Sequence, residues 1–227
     1  MKNVCVGSVL AAIALGANCG AGSVSVSGDL GTNNWGSPPA ILASGNSLTV
    51  SFVHNFAGRG SIQGDMTADN TGTTFRLKIS NLSFHAFDWS SNGYTDVRIN
   101  ASQVFAALPG NYTASHALDG FMESSTLGCI AIGNTILDSG ANNSFLTPVT
   151  YSSPNGSPQM FSTAPGFGST LLTHPNILIK MELDLRVFGD GTIILPSSFD
   201  SVTVPAPASI FLTGLFFACA KRRRVRV

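Results

Sequence analysis

Twelve residues near the end of the chain restrict its fold more than any others. From Ile177 to Phe188, the residues Ile177, Ile179, Met181, Leu183, Leu185 and Val187 alternate with Leu178, Lys180, Glu182, Asp184, Arg186 and Phe188. On a helix this period of two would scatter the apolar side chains around the whole circumference. On a strand it puts them all on one face. The opposite face is mostly charged, the pattern of a long antiparallel strand with one side on a core and the other in water.

Shorter stretches carry the same signal. In Leu48 to Phe56, Leu48, Val50, Phe52, His54 and Phe56 share a face, against Thr49, Ser51 and Asn55. In Thr73 to Ser80, Phe75, Leu77 and Ile79 point inward, Arg76 and Lys78 outward. Further strands are expected at Ser23 to Ser27, Ser61 to Met66, Leu82 to Phe87 (after a break at Asn81), Tyr94 to Ile99, Thr192 to Leu195 and Ser198 to Val204, with one or two buried strands over Leu127 to Leu137. Turn residues punctuate them at Ala68 to Gly72, Asn92-Gly93 and Gly189 to Gly191. One short helix is predicted over Ala101 to Leu108, with Asn100 and Gln103 as a capping box and Pro109-Gly110 as its stop. Asp138 to Asn176, with its five prolines, reads as long exposed loops around a short strand near Phe145 to Tyr151. Many short strands with almost no helix define a mainly β chain. We expect a single antiparallel β-sandwich or jelly-roll-like domain over residues 22–203.

The two ends have a different character. Residues 1–21 have the three parts of a secretory signal peptide: Lys2, an apolar stretch from Val4 to Leu15, and small residues Cys19 and Ala21 before a cut between Ala21 and Gly22. Such a signal implies passage through the Sec export machinery; a lipoprotein signal ending at Cys19 is the competing reading, poorly matched by Asn18. At the other end, Val204-Pro205-Ala206-Pro207 precedes a 13-residue apolar run, Ala208 to Ala220, and then Lys221, Arg222, Arg223, Arg224 and Arg226. The prolines hold the chain extended. As a helix the apolar run would be about 20 Å long, short of a hydrocarbon core of roughly 30 Å. The basic cluster would keep the C-terminus on the cytoplasmic side.

This tail resembles a PEP-CTERM sorting signal, a Pro-acidic-Pro tripeptide followed by a hydrophobic helix and several arginines. Val204, Pro205, Pro207, Ala208, Ser209, the apolar run and the arginine cluster match; Ala206 stands where the family usually has Glu. The resemblance covers about a tenth of the chain. It implies transient anchoring in the inner membrane of a Gram-negative bacterium and cleavage near the tripeptide by exosortase, a membrane-embedded transpeptidase-like enzyme. Release to the cell surface or an extracellular polysaccharide matrix would follow. An ordinary C-terminal membrane anchor is the alternative.

Charge and chemistry narrow what the body between these ends does. Between Gly22 and Thr203 six basic residues, Arg59, Arg76, Lys78, Arg98, Lys180 and Arg186, face twelve acidic ones, a net charge of −6. Nucleic acid and anionic membrane are poor partners for such a body. Of four cysteines only Cys129 lies between the ends, so the body forms no internal disulfide, and its apolar surroundings read as a buried, inert thiol. His54, His85 and His116 are equally spaced, but their flanks do not repeat. No catalytic constellation, cofactor motif or metal motif emerges. Asp65, Asp69 and Asn70, or Asp184 and Asp190, could offer oxygen to calcium but lack the spacing of a dedicated loop, and plain turns account for them. The expectation is a non-enzymatic exported protein with a structural or adhesive role. The alternative is a glycan-binding sandwich presenting Trp35, Trp89 or Tyr94 to sugar rings, with a hydrolase a distant third.

Overall fold

The protein is seen in a computed structural model that describes residues 22–206, except 30, 38–39, 57, 88–92, 125–127, 141–142 and 154–156. The chain runs through β1 (Ser23–Gly28), β2 (Asn33–Gly36) and β3 (Ile41–Leu42), then a meander of β4 (Asn46–Phe56), β5 (Gly60–Asn70) and β6 (Phe75–Ala86). It crosses to β7 (Tyr94–Ala106), back to β8 (Gly110–Ser124) and over again to β9 (Cys129–Asp138). Four short strands follow, β10 (Asn143–Phe145), β11 (Val149–Ser153), β12 (Gln159–Ser162) and β13 (Gly166–Leu172). The long β14 (Asn176–Phe188) and β15 (Gly191–Pro205) end the described chain.

These strands form two sheets. The larger, of eight strands, has the order β10-β9-β14-β7-β1-β2, with β11 also on β9 and β3 on β7. The smaller, of seven, has the order β12-β8-β15-β6-β5-β4, with β13 also on β8. Every pairing is antiparallel except the two-residue contact of β3 with β7. The last two strands therefore sit in the middle of their sheets, β14 between β7 and β9 and β15 between β6 and β8.

Alternation explains this placement. β14 turns Ile177, Ile179, Met181, Leu183, Leu185 and Val187 inward, all 1% exposed or less. The facing sheet answers with Phe75, Leu77, Ile79, Phe84, Leu118, Ile193 and Phe199, all fully buried. Each such side chain contributes about 1.5–3 kcal/mol by leaving water, so a strand that is apolar along one entire face belongs at the centre of a sandwich. The face predicted for β4 is the one that points inward: Phe52 and Phe56 are buried, and Leu48, Val50 and His54 half-buried. Along one open side, the Asn33 side-chain amide lies 2.9 Å from His54 Nε2, and Trp35 packs on Phe52 with ring centroids 5.6 Å apart. Along the other, the Thr147 amide donates to the Phe167 carbonyl and Ser144 Oγ to the Ser169 carbonyl.

Several expectations need correction. The helix predicted over Ala101 to Leu108 is the second half of β7. There Ala101, Gln103 and Phe105 continue the inward row begun by Val97 and Ile99. Gln103 caps nothing; its side-chain amide donates to the Ala40 carbonyl at 2.7 Å and the Val104 carbonyl at 2.8 Å. Tertiary pairing with β1 and β14 outweighs a weak local helix signal. The stretch from Asp138 to Asn176 is not all loop, since β10 to β13 lie in it. The turn placed at Ala68 to Gly72 falls two to three residues later: β5 runs on to Asn70, and the Thr71 amide donates to the Thr74 carbonyl. Finally, Thr192 to Leu195 and Ser198 to Val204 are one strand, β15, whose register shifts between Ile194 and Ser198 on β8 and between Leu195 and Phe199 on β6. Pro196, which has no amide to give a ladder, falls within that bulge. Asn81, by contrast, is the break the sequence marks. It takes φ +51° opposite a register shift in β5, and its amide donates to Asp65.

Candidate functional site

The solvent face of the larger sheet carries the site. On β7 the outward residues are Tyr94, Asp96, Arg98, Asn100 and Ser102; on β14 they are Phe188, Arg186, Asp184, Glu182 and Lys180. The register sets Asp96 opposite Arg186 and Arg98 opposite Asp184. Ser27 of β1 lies beside Arg98, and Ile130 and Ile132 of β9 lie beside Arg186 and Asp184. One rung across four strands is therefore Ser27, Arg98, Asp184, Ile132, and the next is Asp96, Arg186, Ile130. Together they line a half-open cleft of about 400 Å³.

Both arginines are held in fork geometry. Arg98 donates to the two Asp184 oxygens at 2.6 and 3.2 Å, with Glu182 3.5 Å away. Arg186 donates to the two Asp96 oxygens at 2.5 and 2.8 Å. Its guanidinium also lies 4.4 Å from the centroid of the Tyr94 ring, which meets Phe188 edge-on at 5.7 Å. The hydrogen bonds that each arginine donates to its aspartate are the largest cause of its raised pKa, with the carboxylate's charge adding to them. At the margin of the cleft, the Asp96 amide donates to the Asp29 carboxylate at 2.9 Å. The four central charges form a checkerboard, each facing an opposite charge across the strands and another two residues along its own strand.

The side chains expected to matter are dispersed. Trp35 is half-buried in the seam against Phe52 and His54, and Arg186 covers one face of the half-buried Tyr94 ring. Trp89 lies outside the described residues. Among the described residues, no group of three His, Cys, Asp or Glu is placed to hold a metal ion. Asp65 accepts from Ser51 and Asn81, and Asp69 from Ser47. His85 bridges Ser83 and Thr192. His116 is buried, with Nδ1 2.8 Å from the Thr135 hydroxyl and Nε2 2.7 Å from the Thr147 carbonyl. The buried Cys129 thiol is pushed up to about 11 by loss of solvent, the inert thiol its surroundings foretell. None of these groups forms an acid–base pair or an activated nucleophile.

Of the C-terminal segment that resembles a sorting signal, only the first residues are described. Val204 pairs with Thr113 and Pro205 lies opposite Tyr112, and the Ala206 amide donates to the Asn111 carbonyl at 2.8 Å. Pro207, Ala208, Ser209 and the basic residues Lys221, Arg222, Arg223, Arg224 and Arg226 lie outside the described residues, as do residues 1–21, where a signal peptide is expected. A Cβ at Gly22 would meet the Met66 terminal methyl at 2.3 Å, with Gln103 and Leu48 at 3.0 and 3.1 Å, so the flexible end of Met66 would have to shift to admit it.

The cleft was not foreseen, yet the sequence holds a signal for it. Asp96-Val97-Arg98 and Asp184-Leu185-Arg186 are two copies of one triplet, acid, apolar, arginine. Laid antiparallel in register, such triplets pair acid with arginine twice.

The molecule defined by this fold and site is a two-sheet β-sandwich with a charge-paired cleft on one outer face. No family model and no curated protein matches the chain. Among solved structures, TmCBM61 in complex with β-1,4-galactotriose is similar at 12% identity over 61% of this chain and 86% of that one, with a TM-score of 0.30. An infectious bursal disease virus structure, Gx strain, is similar at 10% identity over 91% of this chain and 72% of that one, with a TM-score of 0.18. Neither likeness is close enough to carry an argument about this chain.

Proposed function

We propose that the chain is an exported, non-catalytic protein that ends at the cell surface or in the surrounding polysaccharide, where its sandwich acts as an adhesive module by binding glycan. The cleft on the larger sheet carries the binding half of this reading. Its planar fork groups, Arg98, Arg186, Asp96 and Asp184, are fixed in place by one another, and such groups hydrogen-bond neighbouring hydroxyls. Ile130 and Ile132 give apolar contact beside them. Export and sorting rest on the two chain ends, the signal peptide and the PEP-CTERM-like tail, with Sec and an exosortase-type peptidase as the processing partners.

Two measurements test the halves separately. Replacing Asp96 and Asp184 together by Asn should weaken retention of the folded protein on surface polysaccharide about tenfold or more, as expected from lost charge-assisted hydrogen bonds; undiminished retention would remove the cleft as the binding site. Replacing Pro205 and Pro207 by Ala should leave unprocessed protein in the membrane fraction. Normal release of that variant would count against enzymatic sorting.

A further inference from the structure

Resting on the glycan-binding reading, the geometry points to an uncharged, hydroxyl-rich glycan segment, lying across the strands of the larger sheet, as the ligand of the cleft. The argument is one of charge. A site for uronate, sulfate or phosphate groups presents cations in excess of its own anions. Here Arg98 and Arg186 are each engaged by both oxygens of an aspartate. Glu182 and Asp29 add further negative charge at the margins, so an anionic ligand would have to displace a carboxylate already seated in the fork.

A cation fits no better. Each central carboxylate is held by an arginine, and among the described residues no three acidic, His or Cys groups converge on a metal position. A neutral polyol needs neither charge. It can use carboxylate lone pairs and guanidinium N–H groups left over from the internal pairs, while its C–H faces rest on Ile130 and Ile132.

Direction follows from the lining. The cleft spans β1, β7, β14 and β9, three inter-strand steps, or about 14 Å. Along any one strand its outward lining is only two residues long, for example Asp184 and Arg186. The long axis thus crosses the strands, and its length suits a stretch of sugar rings better than a single one.

The test is the full chain in mild detergent, incubated with beads carrying neutral galactomannan, neutral β-glucan, alginate or hyaluronan, at salt from about 0.01 M to about 1 M. Over that range the screening length falls from roughly 30 Å to roughly 3 Å. The proposal expects capture by one or both neutral polymers, changing less than about threefold with salt, and competed by oligosaccharides of that polymer better than by its monosaccharide. Capture by the uronate polymers alone, persisting at about 1 M salt where the basic cluster at residues 221–226 is screened, would overturn the neutral class and leave glycan binding standing. Capture by none of the four would overturn both. Equal competition by monosaccharide and oligosaccharide would overturn the extended placement. Wild-type protein suffices for every arm, so no outcome depends on a variant folding.

Discussion

At Gly133 the two sheets leave no space for a methyl group. A Cβ there would lie 2.6 Å from the Phe199 ring and 3.0 Å from Val149, and Phe199 in turn packs on His116 at 5.5 Å. Gly133→Ala should therefore cost about 1–3 kcal/mol by overpacking, a fall of several degrees in Tm for a domain this size; an unchanged melting curve would show that the core relaxes. His116 gives a pH prediction. Burial lowers its pKa below the ordinary 6.5, partly offset by the bond to the Thr147 carbonyl. The unfolded chain binds a proton near 6.5 that the folded ring resists, so stability must decline as pH falls through that value. His116→Gln should flatten this decline between about pH 7.5 and pH 5. Identical slopes in the two proteins would exclude the ring as its source. Asp138 acts in a lower window: the Gly140 amide and Lys180 hold its pKa below 3.8, so its contribution is complete above that value and lost only as pH falls through the depressed one.

Among the elements, those readable in advance were the ones that alternate cleanly. β14 and β6 are legible because large apolar residues mark every second position. β8 escaped notice because its inward row, Tyr112, Ala114, His116, Leu118, Gly120 and Met122, mixes small and polar residues that hydropathy cannot separate from a loop. In the second half of β7 the local capping pattern at Asn100 and Gln103 points to a helix, whereas long-range pairing with β1 and β14 uses these residues in a strand. The cleft was hidden for the same reason: its charges lie on strands about ninety residues apart, and only their register joins them. The last strand carries a prediction of its own. β15 is ladder-bonded on both sides up to Thr203 and on the β8 side through Pro205, and the Ala206 amide is still hydrogen-bonded. A peptidase needs an unpaired, extended backbone. If the tail is removed from the folded protein, the new C-terminus should lie at Ala206 or beyond, as intact mass would show; a mature form ending before Thr203 would mean that cutting precedes the docking of β15.

For the whole molecule, the decisive quantity is charge, because the two ends hold half of the basic residues and none of the acidic ones. The full chain has 12 basic and 12 acidic residues and an isoelectric point near 6.9. Cleavage after Ala21 would take Lys2 away, and removal of the tail would take Lys221, Arg222, Arg223, Arg224 and Arg226. Loss of the signal peptide alone takes the net charge from 0 to −1 and moves the isoelectric point little. Loss of both ends takes it to −6, and the isoelectric point should fall to roughly 4–5, where carboxylates titrate. Isoelectric focusing of surface-associated protein beside its membrane-bound precursor thus separates the two readings of the tail. A single acidic band at the surface fits a removable sorting signal, whereas a band still near neutrality fits an ordinary anchor and sinks exosortase processing. The same shift bears on the ligand. A body at −6 is repelled by anionic polymers at low salt, so retention of a processed protein there at low salt favours an uncharged component of the matrix as its ligand.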